Sequence, residues 1–189
     1  MKGIGTKNMP YYEANKNPNF WKNSNDEIRY VNCGSYAFNI LDWYWPYDRD
    51  ESYGDDIIAS WDNLGSFGEA LEDSTNRHLI QILNDFNDVR VIQNFNEAKN
   101  DERIILYREG VSIGAICAPT ESLCEYDGWE WDFHFIWRDT NGFWHEKLGG
   151  DDIRIVDEPT LSEPWQYNSL AYQGPIVMLA KKENDYETV

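Results

Sequence analysis

Cations are scarce in this chain: 16 Lys and Arg stand against 34 Asp and Glu, a formal net charge of −18. So acidic a surface repels phosphate backbones, so direct nucleic-acid binding is not expected. It suits a plain solvated surface, a cationic partner, or an acidic mimic of nucleic acid. Cysteines are few as well. Three is an odd count, which excludes a complete disulfide framework and fits a reducing compartment. Cys117 and Cys124 do not have Cys-x-x-Cys spacing, so a structural zinc site is not expected and no cofactor is implied. Long apolar runs are missing: no window approaches the length of a membrane span, and Met1–Tyr12 lacks the apolar core of a signal peptide. The expectation is a cytoplasmic protein with no membrane partner. No internal repeat or low-complexity tract stands out.

Large side chains, by contrast, are abundant. Of the 189 residues 41% are hydrophobic and 15% aromatic, with nine Trp and twelve Tyr, which is ample material for one core. Residues 1–29 are rich in Asn, Lys, Pro and Gly and carry aromatic anchors at Tyr11, Tyr12, Phe20 and Trp21; they read as an extended arm. Residues 30–182 read as the folded domain and 183–189 as a C-terminal tail. An aromatic and acidic loop follows Trp43. Ser66-x-x-Glu69 is a capping box opening a helix through Leu71, and a second helical piece is expected around Arg77–Phe86. His78 within it reads as a surface or packing residue. The period then switches to two. Val89–Ile92, Arg103–Tyr107, Val111–Cys117, Ile153–Val156 and Pro175–Lys181 are expected strands, and Pro159–Tyr172 is an expected loop. Helices first and strands afterwards predict an α+β fold with an antiparallel sheet.

One stretch carries chemistry of its own: Asn32-Cys33-Gly34-Ser35-Tyr36-Ala37-Phe38. Tyr36, Ala37, Ile40, Leu41 and Tyr44 recur at helical spacing, and Asn is a favoured N-cap. Cys33 then falls in the first turn, where the positive helix end favours a thiolate. A buried structural cysteine at a helix start would give the same pattern.

The other chemical segment is a hairpin, Trp131–Arg138 and Gly142–Lys147, joined by Asp139-Thr140-Asn141-Gly142. His134 and His145 lie one on each strand, where a tight hairpin can make them neighbours. A nucleophilic cysteine needs a base within hydrogen-bond reach and a third group to orient that base. Cys33, His134 and His145 meet this requirement in residue type. Asp139, Asn141 and Asp157 are alternative orienters, although Asp139 and Asn141 also suit the turn itself.

The Asn32–Ala37 block, with Asp132-Phe133-His134-Phe135-Ile136-Trp137-Arg138-Asp139-Thr140-Asn141-Gly142-Phe143-Trp144-His145-Glu146-Lys147-Leu148-Gly149-Gly150, resembles the signature blocks of small papain-fold proteins of bacteria and their phages. The Cys, His, His order also looks like the NlpC/P60 branch of papain-like peptidases. The resemblance implies a papain-like domain in which Cys33 is nucleophile, His134 general base and acid, and His145 orienter. It implies hydrolysis of a peptide, cell-wall peptide or isopeptide amide. Two departures stand beside it: Asn rather than Asp precedes Cys33, and no upstream Gln of the papain type is present. The same fold without catalysis is the alternative. That would be a structural or interaction protein, phage-encoded as a virion component or host-takeover factor, whose acidic surface binds a basic partner. An acidic nucleic-acid mimic would explain the charge but not the histidine hairpin.

Overall fold

The computed structural model describes residues 32–40, 44–47, 67–112, 116–117, 122–123, 131–148, 153–167 and 170–183. The expected arm, the acidic loop beyond Tyr47, the capping serine and the tail beyond residue 183 lie outside them.

Among the described residues two helices come first. Helix α1 is the single short segment Cys33–Phe38, capped by Asn32. It is shorter than the apolar spacing predicts. Asn39 takes φ 64°, ψ 47° and closes the helix with a left-handed cap, so Ile40 and Tyr44 lie beyond it. Helix α2 spans Phe67–Asp85 without interruption, where two helical pieces are expected from sequence. The polar centre does not break it. Arg77 pairs with Asp73 and Gln81 with Asp85 one turn on, and Ser74 and Thr75 are buried with the apolar face.

The strands are β1 Val89–Val91, β2 Glu102–Ser112, β3 Ile116–Cys117, β4 Ser122–Leu123, β5 Trp131–Arg138, β6 Trp144–Lys147, β7 Ile153–Val156, β8 Trp165–Tyr167, β9 Leu170–Tyr172 and β10 Val177–Lys182. A 3₁₀ turn, Phe95–Glu97, links β1 to β2. The main sheet is antiparallel throughout, in the order β1-β10-β2-β5-β6-β7, with β9 joining β2 and β8 joining β9; β3 and β4 form a separate pair. The fold is thus α+β. Strand β2 runs through Arg108-Glu109 where sequence suggests a break, because both charges find partners within the fold. Arg108 donates to the Gly174 and Glu163 carbonyls, and Glu109 accepts from His78 and Tyr107. Strands β8 and β9 stand where a loop is expected. They are three residues each, too short to show a period, and their pairing with β2 holds them.

Strand alternation divides the core in two. Phe133, Phe135 and Trp137 of β5 face α1 and α2, together with Ile105 and Tyr107 of β2 and Leu179 of β10. Ile136 faces the other way with Ile104, Leu106, Trp144, Trp165, Tyr172 and Ala180. Both layers are largely free of solvent, so each side of β5 is a core face.

Candidate functional site

The start of α1 is built by two polar side chains. Asn32 Oδ1 accepts from the Ser35 N–H at 3.0 Å, the Ser35 hydroxyl at 2.8 Å and the Tyr44 N–H at 3.3 Å. Asn32 Nδ2 donates to the Tyr44 carbonyl at 2.6 Å, and Ser35 Oγ accepts from the Tyr44 N–H at 2.9 Å. These bonds satisfy orphan donors of the first turn and strap residue 44 across it. Gly34 lies beneath that strap. A Cβ there would sit 2.8 Å from Tyr44 Cδ1 and 3.2 Å from Phe135 Cε2. Asn32, Gly34 and Ser35 therefore each have a packing or capping duty.

Cys33 is buried at 4% exposure, and its Sγ lies 3.9 Å from the Phe133 carbonyl oxygen, a weak S–H···O contact. Burial, with the charge of Asp132 adding to it, pushes the thiol up to about 12 against the smaller opposing effect of backbone hydrogen bonds. The thiol is protonated at neutral pH. This is the reverse of the activation expected of a first-turn nucleophile.

The two hairpin histidines lie on opposite faces of the sheet. Trp137 pairs with His145 and Ile136 with Glu146, so His145 shares the α1 face with Phe133, Phe135 and Trp137. His134 and Glu146 share the far face. The His134 Nε2–H donates to Glu146 Oε1 at 3.1 Å, and its ring sits among Tyr167, Tyr172 and Trp165. The hairpin thus places the two histidines on opposite faces, with Cys33 hydrogen-bonded to neither among the described residues.

Each histidine instead has a carboxylate partner. Glu146 also accepts from Arg154 Nε at 2.7 Å. Burial alone would raise the Glu146 carboxyl, but hydrogen bonds from His134 and Tyr167 and the neighbouring charges outweigh it and hold it down to about 2. On the other face His145 Nε2–H donates to Asp139 Oδ2 at 3.1 Å, and the Tyr36 hydroxyl meets Nδ1 at 3.2 Å. Burial lowers the His145 pKa, with the Asp139 hydrogen bond opposing it, which favours the neutral ring that accepts from Tyr36. His145 stacks on Trp137 at 4.3 Å, and the Arg103 guanidinium covers the Trp137 ring at 4.2 Å. This pile fastens α1 to the hairpin. Of the alternative orienters, Asp139 thus holds His145 as well as capping its own turn, where Oδ1 accepts from the Asn141 and Phe143 N–H groups and Gly142 takes φ 93°. Asn141 and Asp157 are exposed.

His78, which reads as a surface or packing residue in the sequence, is buried at 4%. Its Nδ1 lies 2.5 Å from Glu109 Oε1, which also accepts from the Tyr107 hydroxyl at 2.6 Å. The pair fastens α2 to β2. Its sequence signal is faint, since Glu109 sits mid-strand and 31 residues from His78.

The far face carries a groove of about 430 Å³ between β6, β7 and residues 157–167. Trp165, Tyr167, Ile136 and Val156 form its apolar floor, and Asp157, Glu158 and Glu163 stand at its rim. No cluster of His, Cys, Asp and Glu able to hold a metal ion occurs among the described residues. No helix among them is long and apolar enough to cross a membrane. The chain matches no family model, no curated protein and no solved structure, so the likeness to papain-fold proteins rests on the two sequence blocks alone.

Proposed function

We propose that the chain is a protein-interaction module which binds a basic partner, and that Cys33 does not act as a nucleophile in it. The observation that carries this reading is that, among the described residues, no hydrogen bond joins the thiol to either imidazole. Cys33 faces one core layer with its pKa pushed up to about 12, while His134 donates to Glu146 in the other. Thiol hydrolysis needs the two within hydrogen-bond reach. The net charge of −18 supplies the attraction for a cationic partner.

A second reading, the cysteine hydrolase of papain-like architecture, draws support from one feature: Cys33 opens a helix whose neighbouring residues are all fixed by caps and packing. Alkylation separates the two. With Cys117 and Cys124 replaced by Ser, Cys33 should react slowly with iodoacetamide at pH 6–8, and His134→Ala should leave that rate unchanged. A reaction already saturating near neutral pH, and abolished by His134→Ala, would reveal a thiolate–imidazole pair and restore the hydrolase.

A further inference from the structure

We propose that the outer edge of β7 and the groove beside it take an extended, Lys- or Arg-rich peptide segment of the partner protein. The inference rests on the interaction reading above and gives that reading a place and a mode.

Strand β7 ends the sheet formed by the described residues. It pairs with β6 from Trp144↔Val156 to Lys147↔Ile153, and no described strand pairs with its other side. An edge strand leaves a row of N–H and C=O groups outward, which is a template for an added strand. Natural edges are usually blunted by charge or proline. Here the strand is Ile153-Arg154-Ile155-Val156, and Ile155 is 55% exposed. The one charge on it is already engaged, since Arg154 donates to Glu146.

The groove opens on the Arg154 and Val156 side of this strand. Its rim carboxylates Asp157, Glu158 and Glu163 meet no free cation among the lining residues, because Arg154 is the only one present. Its shape is set before any partner arrives. Arg108 donates to the Glu163 carbonyl at 2.6 Å, and Trp165 Nε1 donates to the Thr160 carbonyl at 2.9 Å, so the rim loop is held on the sheet. Little ordering is then required on binding. Aromatic rings flanked by carboxylates suit the stem and head of a Lys or Arg side chain.

An added strand alternates its side chains between the two sheet faces. One set would point into the groove and the other would lie beside exposed Ile155. The matching sequence alternates cationic and apolar residues. A second copy of this chain is a poor occupant, since two bodies of charge −18 repel each other. Nucleic acid is excluded by the same sign of charge.

The test uses an acetylated, amidated and fluorescein-labelled (Lys-Val)₃ peptide, with fluorescence anisotropy read on the full chain. Binding is expected at about 20 mM salt and should weaken at about 150 mM, as attraction between exposed charges does. Glu158→Lys with Glu163→Lys should weaken it roughly tenfold or more, since two exposed attractions become repulsions. Glu72→Lys with Asp101→Lys, which makes the same charge change away from the groove, should weaken it far less. A peptide N-methylated at alternate residues to block the pairing edge should lose binding, and a (Glu-Val)₃ peptide should not bind. Circular dichroism of each variant establishes that the fold is retained. Equal weakening by both double variants would overturn the groove assignment while leaving a basic partner in place. Undiminished binding of the N-methylated peptide would overturn strand addition. No binding by the wild type at low salt would overturn the basic-partner reading itself.

Discussion

Glu146→Gln isolates the charge at the centre of the far-face network, because glutamine keeps the shape and one acceptor oxygen. In the folded chain the Glu146 carboxyl is lowered from 4.5 to about 2. At about 1.4 kcal/mol per unit, that difference sets a ceiling of roughly 3 kcal/mol on what ionised Glu146 adds to stability. Arg154, one of its partners, has a half-exposed side chain, and water screens that contact. A contribution of about 1–2 kcal/mol is therefore expected. The sign follows from the depressed value. The stabilisation is fully present above the ordinary carboxyl range near 4.5 and is lost as pH falls through it towards 2. Urea unfolding followed by tryptophan fluorescence should give Glu146→Gln a deficit of about 1–2 kcal/mol at pH 7, narrowing steadily below pH 4.5. A deficit equal at pH 7 and pH 4 would mean that the lost stability comes from packing, not charge. No deficit at pH 7 would mean that the carboxylate is not held by His134, Tyr167 and Arg154 at all.

Two substitutions at the start of α1 test the structural account of the Asn-Cys-Gly-Ser block. Gly34→Ala should cost about 1–3 kcal/mol in urea unfolding, since its Cβ would meet Tyr44 and Phe135 at 2.8 and 3.2 Å; a neutral result would show that the Tyr44 strap is not seated as described. Asn32→Ala should cost about 2–3 kcal/mol, because it strips a buried cap and leaves the Tyr44 carbonyl without its donor. Asn32→Asp keeps the acceptor and loses the donor, so it should be intermediate, and full stability in that variant would refute the Nδ2 contact.

Much of the sheet was legible because its strands are long or tightly turned. The β5–β6 hairpin is announced by alternating aromatics around Asp139-Thr140-Asn141-Gly142, and the structure keeps that turn, with the Gly142 N–H donating to the Asp139 carbonyl at 3.0 Å. The N-cap at Asn32 was legible for the same local reason. What escaped was set at long range. Strands β8 and β9 exist through pairing with each other and with β2, and three residues carry no period to detect. The His78–Glu109 pair joins a helix to a strand across 31 residues, with no spacing rule to foretell it.

The hairpin histidines show how a correct element can still carry a mistaken pairing of side chains. Trp137 opposite His145 fixes the register, and cross-strand partners share a face. Residues of β5 with the parity of Trp137 therefore join His145, whereas His134, one step out of phase, joins Glu146. Proximity along a hairpin is thus no warrant for proximity of side chains: one residue of phase decides between neighbours and opposite core layers. The same reasoning bears on the block around Cys33. Asn32, Gly34 and Ser35 are each demanded by a cap or a close approach, and Tyr36 by its bond to His145. A chain that needs only to seat a short helix on a strongly aromatic sheet would retain these residue types without any selection for hydrolysis. The Cys33 side chain, by contrast, has only backbone polar contacts, among them a weak one to the Phe133 carbonyl. Its reactivity, rather than the motif around it, is therefore what distinguishes a working thiol site from a scaffold.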